Sequence, residues 1–264
     1  MAEFTNDPDV LRAAVEKAKE PEQPDVQTVA PSSNDVLLPG GFVSGDGSIV
    51  KYAEVRELNG SDEEAISRAG STGKALLAML QRGVVSIGGN PVEKGDLEKM
   101  LSGDRDAILI AIRRVTFGDT IEFNLNCPSC NEGLVVEVDL VKDIPYVNLD
   151  DPINGRKFTY ESKKGPIVVS LPNGYVQKQL LENTDKTRAE MNTILLAGCV
   201  DSVNGVASSG NSTVLKLGMA DRDAIVVEIL DKNPGPRLGE VKTTCEACST
   251  DIPMPLSLAD LFRL

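Results

Sequence analysis

The pentapeptide DRDAI occurs twice, at residues 104–108 and 221–225, and each copy is followed by a Cys-x-x-Cys motif. The first Cys follows the first Asp by 23 positions in one copy (Asp104 to Cys127) and by 24 in the other (Asp221 to Cys245). The upstream turns SIGG and SVNG keep nearly the same offset. A nearly constant offset is the signature of an internal duplication, so we predict one structural unit used twice.

The repeat length divides the 264 residues into two ordinary domains preceded by a short segment. We predict a flexible N-terminal arm over residues 1–35, a first repeat over 36–150 and a second repeat over 151–264. The arm is rich in proline, but residues 11–18 have the apolar spacing of a short amphipathic helix, with Asp7 as its cap. We expect this arm helix to dock on a neighbouring subunit.

Each half has the pattern of short helices and β-hairpins. The first half has a strand pattern over 49–58, a helix start whose Ser61 and Glu64 match a capping box, a SIGGN turn and the DRDAI helix. The second half repeats this order, with a strand at 166–171 and a hairpin turn at 204–205. The prediction is an α+β fold of two tandem pseudo-repeats, not a doubly wound parallel sheet.

Four of the five cysteines form the two motifs, and the ligands expected from them are Cys127, Cys130, Cys245 and Cys248. The spacing lets both thiolates of a motif reach one ion, and two motifs complete a tetrahedral set of four sulfurs. Strand patterns on both sides of the first motif, over 120–126 and 134–140, are typical of a zinc ribbon. We therefore predict one structural, non-catalytic Zn²⁺ that joins the halves about a pseudo-twofold axis.

Two other interpretations of these cysteines stay open. One is a redox dithiol, although a thioredoxin-type motif should open a helix and CPSC leads into a strand pattern. The other is a pair of disulfides, which require an oxidising compartment that nothing in the sequence indicates. Cys199 lies in the apolar run ILLAGCV and is interpreted as a core residue.

The composition argues against several classes of function. The chain has no histidine, hence no Ser-His-Asp triad and no histidine base or metal ligand, and we predict no catalytic residues and no enzyme. A net charge of −13 argues against a nucleic-acid partner, which needs clustered Lys and Arg. The apolar runs are too short for a membrane segment, and the N-terminus has no secretory-signal pattern.

The repeated Asp-Arg pair has a structural interpretation. Acidic residues are favoured at a helix start, so we expect Asp104 and Asp221 to cap their helices and to form solvated ion pairs with the arginines that follow. The alternative is an arginine that pins its helix to the neighbouring half through a carboxylate.

The stretch GDRDAILIAIRRVTFGDTIEFNLNCPSCNEGLVVEVDL, at residues 103–140, resembles the T-even-like bacteriophage baseplate hub and hub-assembly family of contractile tails. The shared features are a helix that ends near the aromatic-glycine pair Phe117-Gly118, a strand, a Cys-Pro-x-Cys motif and a second strand. RELNGSDEEAISRA, at 56–69, is similar to the opening of that family. The resemblance covers roughly residues 48–264 and leaves out the arm.

This resemblance implies a non-enzymatic structural component or assembly factor of a phage baseplate hub. Its partners would be other phage tail and baseplate proteins, and its location the virion tail baseplate after assembly in the host cytoplasm. The competing class is a zinc-ribbon adaptor in transcription or nucleic-acid metabolism. Such a ribbon should carry basic and aromatic residues, whereas CPSCNEGLVVEVD and CEACSTD are acidic or neutral.

Overall fold

The computed structural model describes Val26–Gln27 and residues 34–163 and 165–262, and these residues form a mixed α+β fold. The predicted arm helix at 11–18 lies outside the described residues. Val26–Gln27, which the sequence assigned to the arm, forms a short strand that pairs with Ile49 and Val50 in parallel.

Most helices are short, as the frequent turn signals of the sequence predict. They are α1 (Gly60–Ser67), α2 (Thr72–Gly83), α3 (Asp96–Lys99), α4 (Ser102–Phe117), α5 (Gly174–Leu181), α6 (Arg188–Cys199), α7 (Asn211–Val214), α8 (Met219–Lys232) and α9 (Leu258–Phe262).

The strands are mostly hairpin partners of their sequence neighbours. They are β1 (Val26–Gln27), β2 (Asp35–Val43), β3 (Ile49–Val55), β4 (Val84–Ile87), β5 (Asn90–Pro91), β6 (Thr120–Asn126), β7 (Gly133–Asp139), β8 (Tyr146–Val147), β9 (Lys157–Ser162), β10 (Gly165–Ser170), β11 (Val200–Val203), β12 (Val206–Ala207), β13 (Gly235–Pro236), β14 (Lys242–Thr244) and β15 (Asp251–Pro253).

Two sheets and two ribbons organise these strands. In the first sheet β3 pairs antiparallel with β2 and β4, β4 pairs with β5, and β1 adds the parallel pair. The second sheet has the antiparallel order β9-β10-β11-β12. The hairpins β6–β7 and β14–β15 are separate two-stranded ribbons, and β8 pairs with β13.

The order of elements along the chain is closely similar in the two halves. Two strands, two helices, a tight hairpin, a one-turn helix, a long helix and a ribbon follow one another as β2-β3-α1-α2-β4-β5-α3-α4-β6-β7. The second half runs β9-β10-α5-α6-β11-β12-α7-α8-β13-β14-β15, so it differs from the first by the extra strand β13 between the long helix and the ribbon. The helices α1 and α5 have eight residues each, and α2 and α6 have twelve each.

Each sheet buries one face under two helices, which is why the apolar residues recur at helical and strand spacing. In the first half α2 and α4 cover the sheet, with Val50, Ala53, Leu76, Leu80, Ile108 and Ile112 in the core. In the second half α6 and α8 do so, with Ile167, Val169, Leu196, Ile225 and Ile229 in the core. A third cluster takes side chains from both halves, namely Ile110, Ile121 and Val138 with Val241, Met254 and Leu261.

The start of α1 differs from the prediction. The cap is Asn59, whose side chain accepts from the Ser61 and Asp62 backbone N–H groups, while the Asp62 carboxylate accepts from the Asn59 backbone N–H. The predicted Ser61–Glu64 box is therefore wrong, because the strand ends earlier and the helix begins two residues sooner. Asp62 also binds Arg56 and Arg82, at 2.8 and 2.9 Å, and chiefly the Arg56 hydrogen bond holds the pKa of Asp62 far below its usual range.

The repeated pentapeptide also differs from the prediction, since neither copy forms a solvated cap. Asp104 is fully buried and accepts a hydrogen bond from the Gly40 backbone N–H at 2.6 Å, so it holds β2 and not its own helix start. Arg222, in the second copy, donates to the Val214 carbonyl and to the Thr193 hydroxyl within its own half. Identical residues therefore have different partners, because the surroundings of the two helices differ.

Of the residues that the structure describes, none belongs to a helix with both the length and the apolar character needed to cross a lipid bilayer.

Candidate metal centre

The four motif cysteines converge, although any cysteine of the first motif is at least 115 residues away in the chain from any cysteine of the second. Each motif follows the first strand of a ribbon, Cys127 after β6 and Cys245 after β14. All four sulfurs lie within 4.8 Å of one another. Two of the sulfur pairs join one motif to the other, with 3.6 Å from Cys127 to Cys248 and 3.7 Å from Cys130 to Cys245.

The two loops have the same backbone conformation, which explains why the sulfurs meet. In the first loop the Cys127 N–H donates to the Glu132 carbonyl at 2.8 Å, and the Asn131 N–H donates to the Cys127 carbonyl at 2.9 Å. In the second, Cys245 and Ser249 make the equivalent bonds at 2.9 and 2.8 Å. Asn131 and Ser249 both have positive φ values, 60° and 57°. Each hairpin thus turns back on itself and directs two thiols to one side.

The sulfur separations fit a shared ion better than disulfides. A disulfide needs sulfurs about 2.05 Å apart, and all five cysteines are free. Four sulfurs held about 2.3 Å from one tetrahedral zinc lie about 3.8 Å from each other, close to the 3.6 and 3.7 Å of the two pairs that join the motifs. The residues present could therefore hold a metal ion.

Two thiols of the site have pKa values shifted in opposite directions. The Thr250 hydroxyl and the Thr250 backbone lower the pKa of Cys248 to about 6. The backbone of Glu132 lowers the pKa of Cys130, but burial and the three neighbouring sulfurs outweigh it and raise that pKa to about 12. Four adjacent thiolates repel one another, so a divalent ion that accepts their charge would bind with release of protons.

The site is half open to solvent, with no side chain in it that suggests catalysis. Cys127 and Cys245 are buried against Ile252 and the ribbon leucines, whereas Cys130 and Cys248 are exposed. A four-sulfur set fills the tetrahedral coordination of zinc and leaves no position for a substrate. The hairpin context also differs from a thioredoxin-type dithiol, which lies at a helix start.

Cys199 lies apart from this site, as the sequence predicts. It is fully buried in the second core, and burial raises the pKa of its thiol to about 12. The residue is therefore a neutral core side chain.

Sequence reasoning missed a buried polar junction at the start of α4, where the two halves meet. Asp106 accepts a hydrogen bond from the Gln177 amide at 2.5 Å. Arg105 is 3% exposed, and its Nε and Nη1 have no hydrogen-bond partner among the described residues. Burial raises the pKa of both Asp104 and Asp106 to about 6 and lowers that of Arg105 to about 10. The only sequence signal was the pentapeptide, which does not distinguish the buried copy from the other.

The comparisons with known proteins give one match. The family model described as T4 bacteriophage base plate protein matches residues 84–212, just under half of the chain. The match runs from β4 through the first ribbon and the second sheet to α7. No curated protein and no solved structure gives a match.

Proposed function

The family match supports a T4-like phage baseplate protein. From that premise we propose that the chain is a non-enzymatic structural component or assembly factor of a contractile-tail baseplate hub. It acts by holding other tail proteins through surface contacts. The observation that carries the proposal is the family match over residues 84–212, which includes the junction between the two halves. The location that follows is the virion tail, after assembly in the host cytoplasm.

The ion proposed for the four-cysteine site is Zn²⁺, with Cys127, Cys130, Cys245 and Cys248 as its ligands. Soft thiolates in a tetrahedral set suit zinc, and the closed coordination suits a structural role. Because each half supplies two ligands, binding energy at the site resists separation of the ribbons. The third apolar cluster, which also takes side chains from both halves, acts in the same direction.

The halves themselves are proposed to be a tandem duplication, 36–150 and 151–264, preceded by the arm at 1–35. Three facts support this: the similar element order, the equal lengths of α1 and α5 and of α2 and α6, and the matched conformation of the two cysteine loops. A protein of this kind presents two related surfaces on halves that share an apolar cluster, which suits a part that joins several neighbours.

Partners are proposed to be tail and baseplate proteins with basic or polar surfaces. The net charge of −13 favours such partners by steering encounter and by excluding other acidic surfaces. The arm helix at 11–18 is proposed to dock on one of these neighbours. Nucleic acid is a poor partner, since β6 and β7 carry Glu122 and Glu137 where a zinc-ribbon adaptor in transcription would carry basic residues.

The test is a phage in which a stop codon early in the reading frame removes this protein. We expect lysates without complete baseplates, and restoration when the chain is supplied from a plasmid. Mass spectrometry of purified tails and of hub precursors then separates a resident component from a factor that leaves. Normal, infectious tails without the protein would refute the proposed function.

A further inference from the structure

The start of α4 packs against the second half, whereas the start of α8 is exposed. The Ser102 N–H donates to the Pro172 carbonyl at 2.9 Å, and the start of α4 lies against the chain that follows α8. A twofold relation would place the start of α8 against the end of α4 in return. Instead Met219 is 83% exposed and Phe117 is 63% exposed. The predicted pseudo-twofold therefore applies to the sulfur pairs and not to the helices, which dock head to tail.

A head-to-tail contact leaves one unused surface of each kind, and repetition of it between molecules gives rings or filaments. We call the surface formed by the starts of α2 and α4 the receiving surface. The surface formed by α5, from Gly174 to Leu181, and by the chain after α8 is the inserting surface. We propose that the receiving surface of the second half, at the starts of α6 and α8, is closed to a second copy of the chain. The head-to-tail contact then forms once, between the two halves of one chain, and does not continue from one molecule to the next. The inference rests on the proposed duplication, which supplies the equivalent positions.

The first obstacle is steric and lies at the second residue of the long helices. In α4 this residue is Gly103, and a Cβ there would collide with the carbonyl oxygen of Pro234. In α8 the second residue is Ala220. The same close approach by a second copy is therefore excluded by an atom that Ala220 always carries.

The other receiving helix repeats this difference. Gly73, the second residue of α2, lies so close to the Leu181 carbonyl that a Cβ would collide with it. The second residue of α6 is Ala189. In addition, the buried Ser102 at the start of α4 is replaced by the larger Met219 in α8.

The second obstacle is electrostatic. Within the chain Asp106 accepts a hydrogen bond from the Gln177 amide. Their equivalents are Asp223, in the second pentapeptide, and Glu63, the fourth residue of α1. A second copy would bring two carboxylates together where the internal contact has a donor and an acceptor, and like charges at an interface oppose binding.

The unused inserting surface, on the first half, has not changed in this way. Asn59-Gly60 at the start of α1 corresponds to Asn173-Gly174 at the start of α5. Gly60 and Gly118 have open space around them, whereas Gly174 is packed against Arg105 and the Leu97 carbonyl. The residues that obstruct docking of a second copy therefore lie mainly on the receiving surface. Glu63 is the one obstacle that the inserting surface contributes.

The test is sedimentation velocity of full-length, metal-loaded protein over a range of concentrations. In a fourfold variant, A189G, M219S and A220G give the second receiving surface the residues of the internal contact, and E63Q gives the unused inserting surface the amide that Gln177 supplies. We expect it to associate at least about tenfold more strongly than the wild-type chain. Gly60→Val, which adds a side chain where Gly174 has no room for one, should abolish that association and leave wild-type sedimentation unchanged.

Two results would overturn the inference. One is a folded, metal-loaded fourfold variant that sediments like the wild-type chain at every concentration. The other is wild-type protein that already associates and loses this association with Gly60→Val. Neither result depends on phage assembly, so the proposed function is tested separately. An experimental structure in which α4 and α8 occupy different positions when the two halves are superposed would refute the duplication itself.

Discussion

Individual residues have roles here that depend on burial more than on identity. The grouping of the four motif cysteines could be predicted because two-residue spacing is a local geometric property, and the structure brings all four sulfurs within 4.8 Å of one another. The roles of Asp104 and Asp221 could not be predicted, because the two copies of the pentapeptide are identical and do not indicate which residues pack against each copy. Arg105 is buried against the second half, whereas Arg222 bonds within its own half.

The cysteines give the first prediction. Serine at Cys127 or Cys245 should abolish stoichiometric zinc binding and lower the free energy of unfolding by about 3 kcal/mol or more, because metal binding at such a site is coupled to folding. Metal analysis and urea unfolding measure the two effects. Cys199→Ser is the matched control, which should keep the zinc while it loses some core stability. Unchanged zinc content in both ligand variants would show that the ion is bound elsewhere.

Asp104 gives a prediction about pH. Burial raises its pKa from 3.8 to about 6, so the folded chain holds this proton more tightly than the unfolded chain. The resulting stabilisation is complete below about pH 4 and is lost as the pH rises through about 6. Asp104→Asn removes this dependence, so the variant should gain on the order of 3 kcal/mol relative to wild type between about pH 4 and about pH 8.

Urea unfolding of both proteins at several pH values measures that difference, and the zinc site contributes equally to each. Asp221→Asn is the control for the same pentapeptide position, and it should not reproduce the profile because that carboxyl is only half buried. A constant difference between wild type and D104N across the range would contradict the assigned burial.

Helices, strands and hairpins were predictable where the signal is local. The strand β6 occupies the predicted residues 120–126, and the turns at SIGGN and Asn204-Gly205 connect β4–β5 and β11–β12. The start of α1 was misplaced because Asn59 and Ser61 are both good caps, and the choice depends on where β3 leaves the sheet. The packing of α5 on α4 involves residues more than 60 positions apart, and no periodicity indicates it.

The contact between elements gives a third prediction. Gly103→Ala should lower the free energy of unfolding by about 3 kcal/mol, because its Cβ collides with the Pro234 backbone and the halves must separate slightly. The reverse substitution at the equivalent position, Ala220→Gly, should cost only about 1 kcal/mol or less from helix propensity. Thermal unfolding by circular dichroism compares them. Equal costs would mean that the start of α4 is not tightly packed.

At the scale of the whole molecule, two α+β halves contribute to one apolar cluster and to one set of four sulfurs. The mixed fold class and the pairing of the cysteine motifs followed from the repeat. The packing of α5 and of the chain after α8 on the start of α4 did not, because a sequence offset carries no information about which surfaces of the two halves meet. The small residues at that contact, Gly73 and Gly103, are understood only once the neighbouring backbone is known.

The arm gives a prediction at this scale. Deletion of residues 1–25 keeps Val26–Gln27, which pairs with β3, and should leave thermal stability and zinc content unchanged. Because the arm helix is proposed to dock on a neighbour, the truncated protein should fail to enter tails or hub precursors when it replaces the full chain. Mass spectrometry of purified particles measures this. Normal incorporation would assign no role to the arm in docking.

We propose that one zinc ion, held by two cysteines from each half, makes the halves a single structural part. X-ray absorption at the zinc edge of the purified full-length protein, together with its metal content, measures the ion and its ligands. We expect about one zinc per chain with four sulfur neighbours at about 2.3 Å. Substoichiometric metal, or a shell with oxygen or nitrogen ligands in place of two sulfurs, would contradict it.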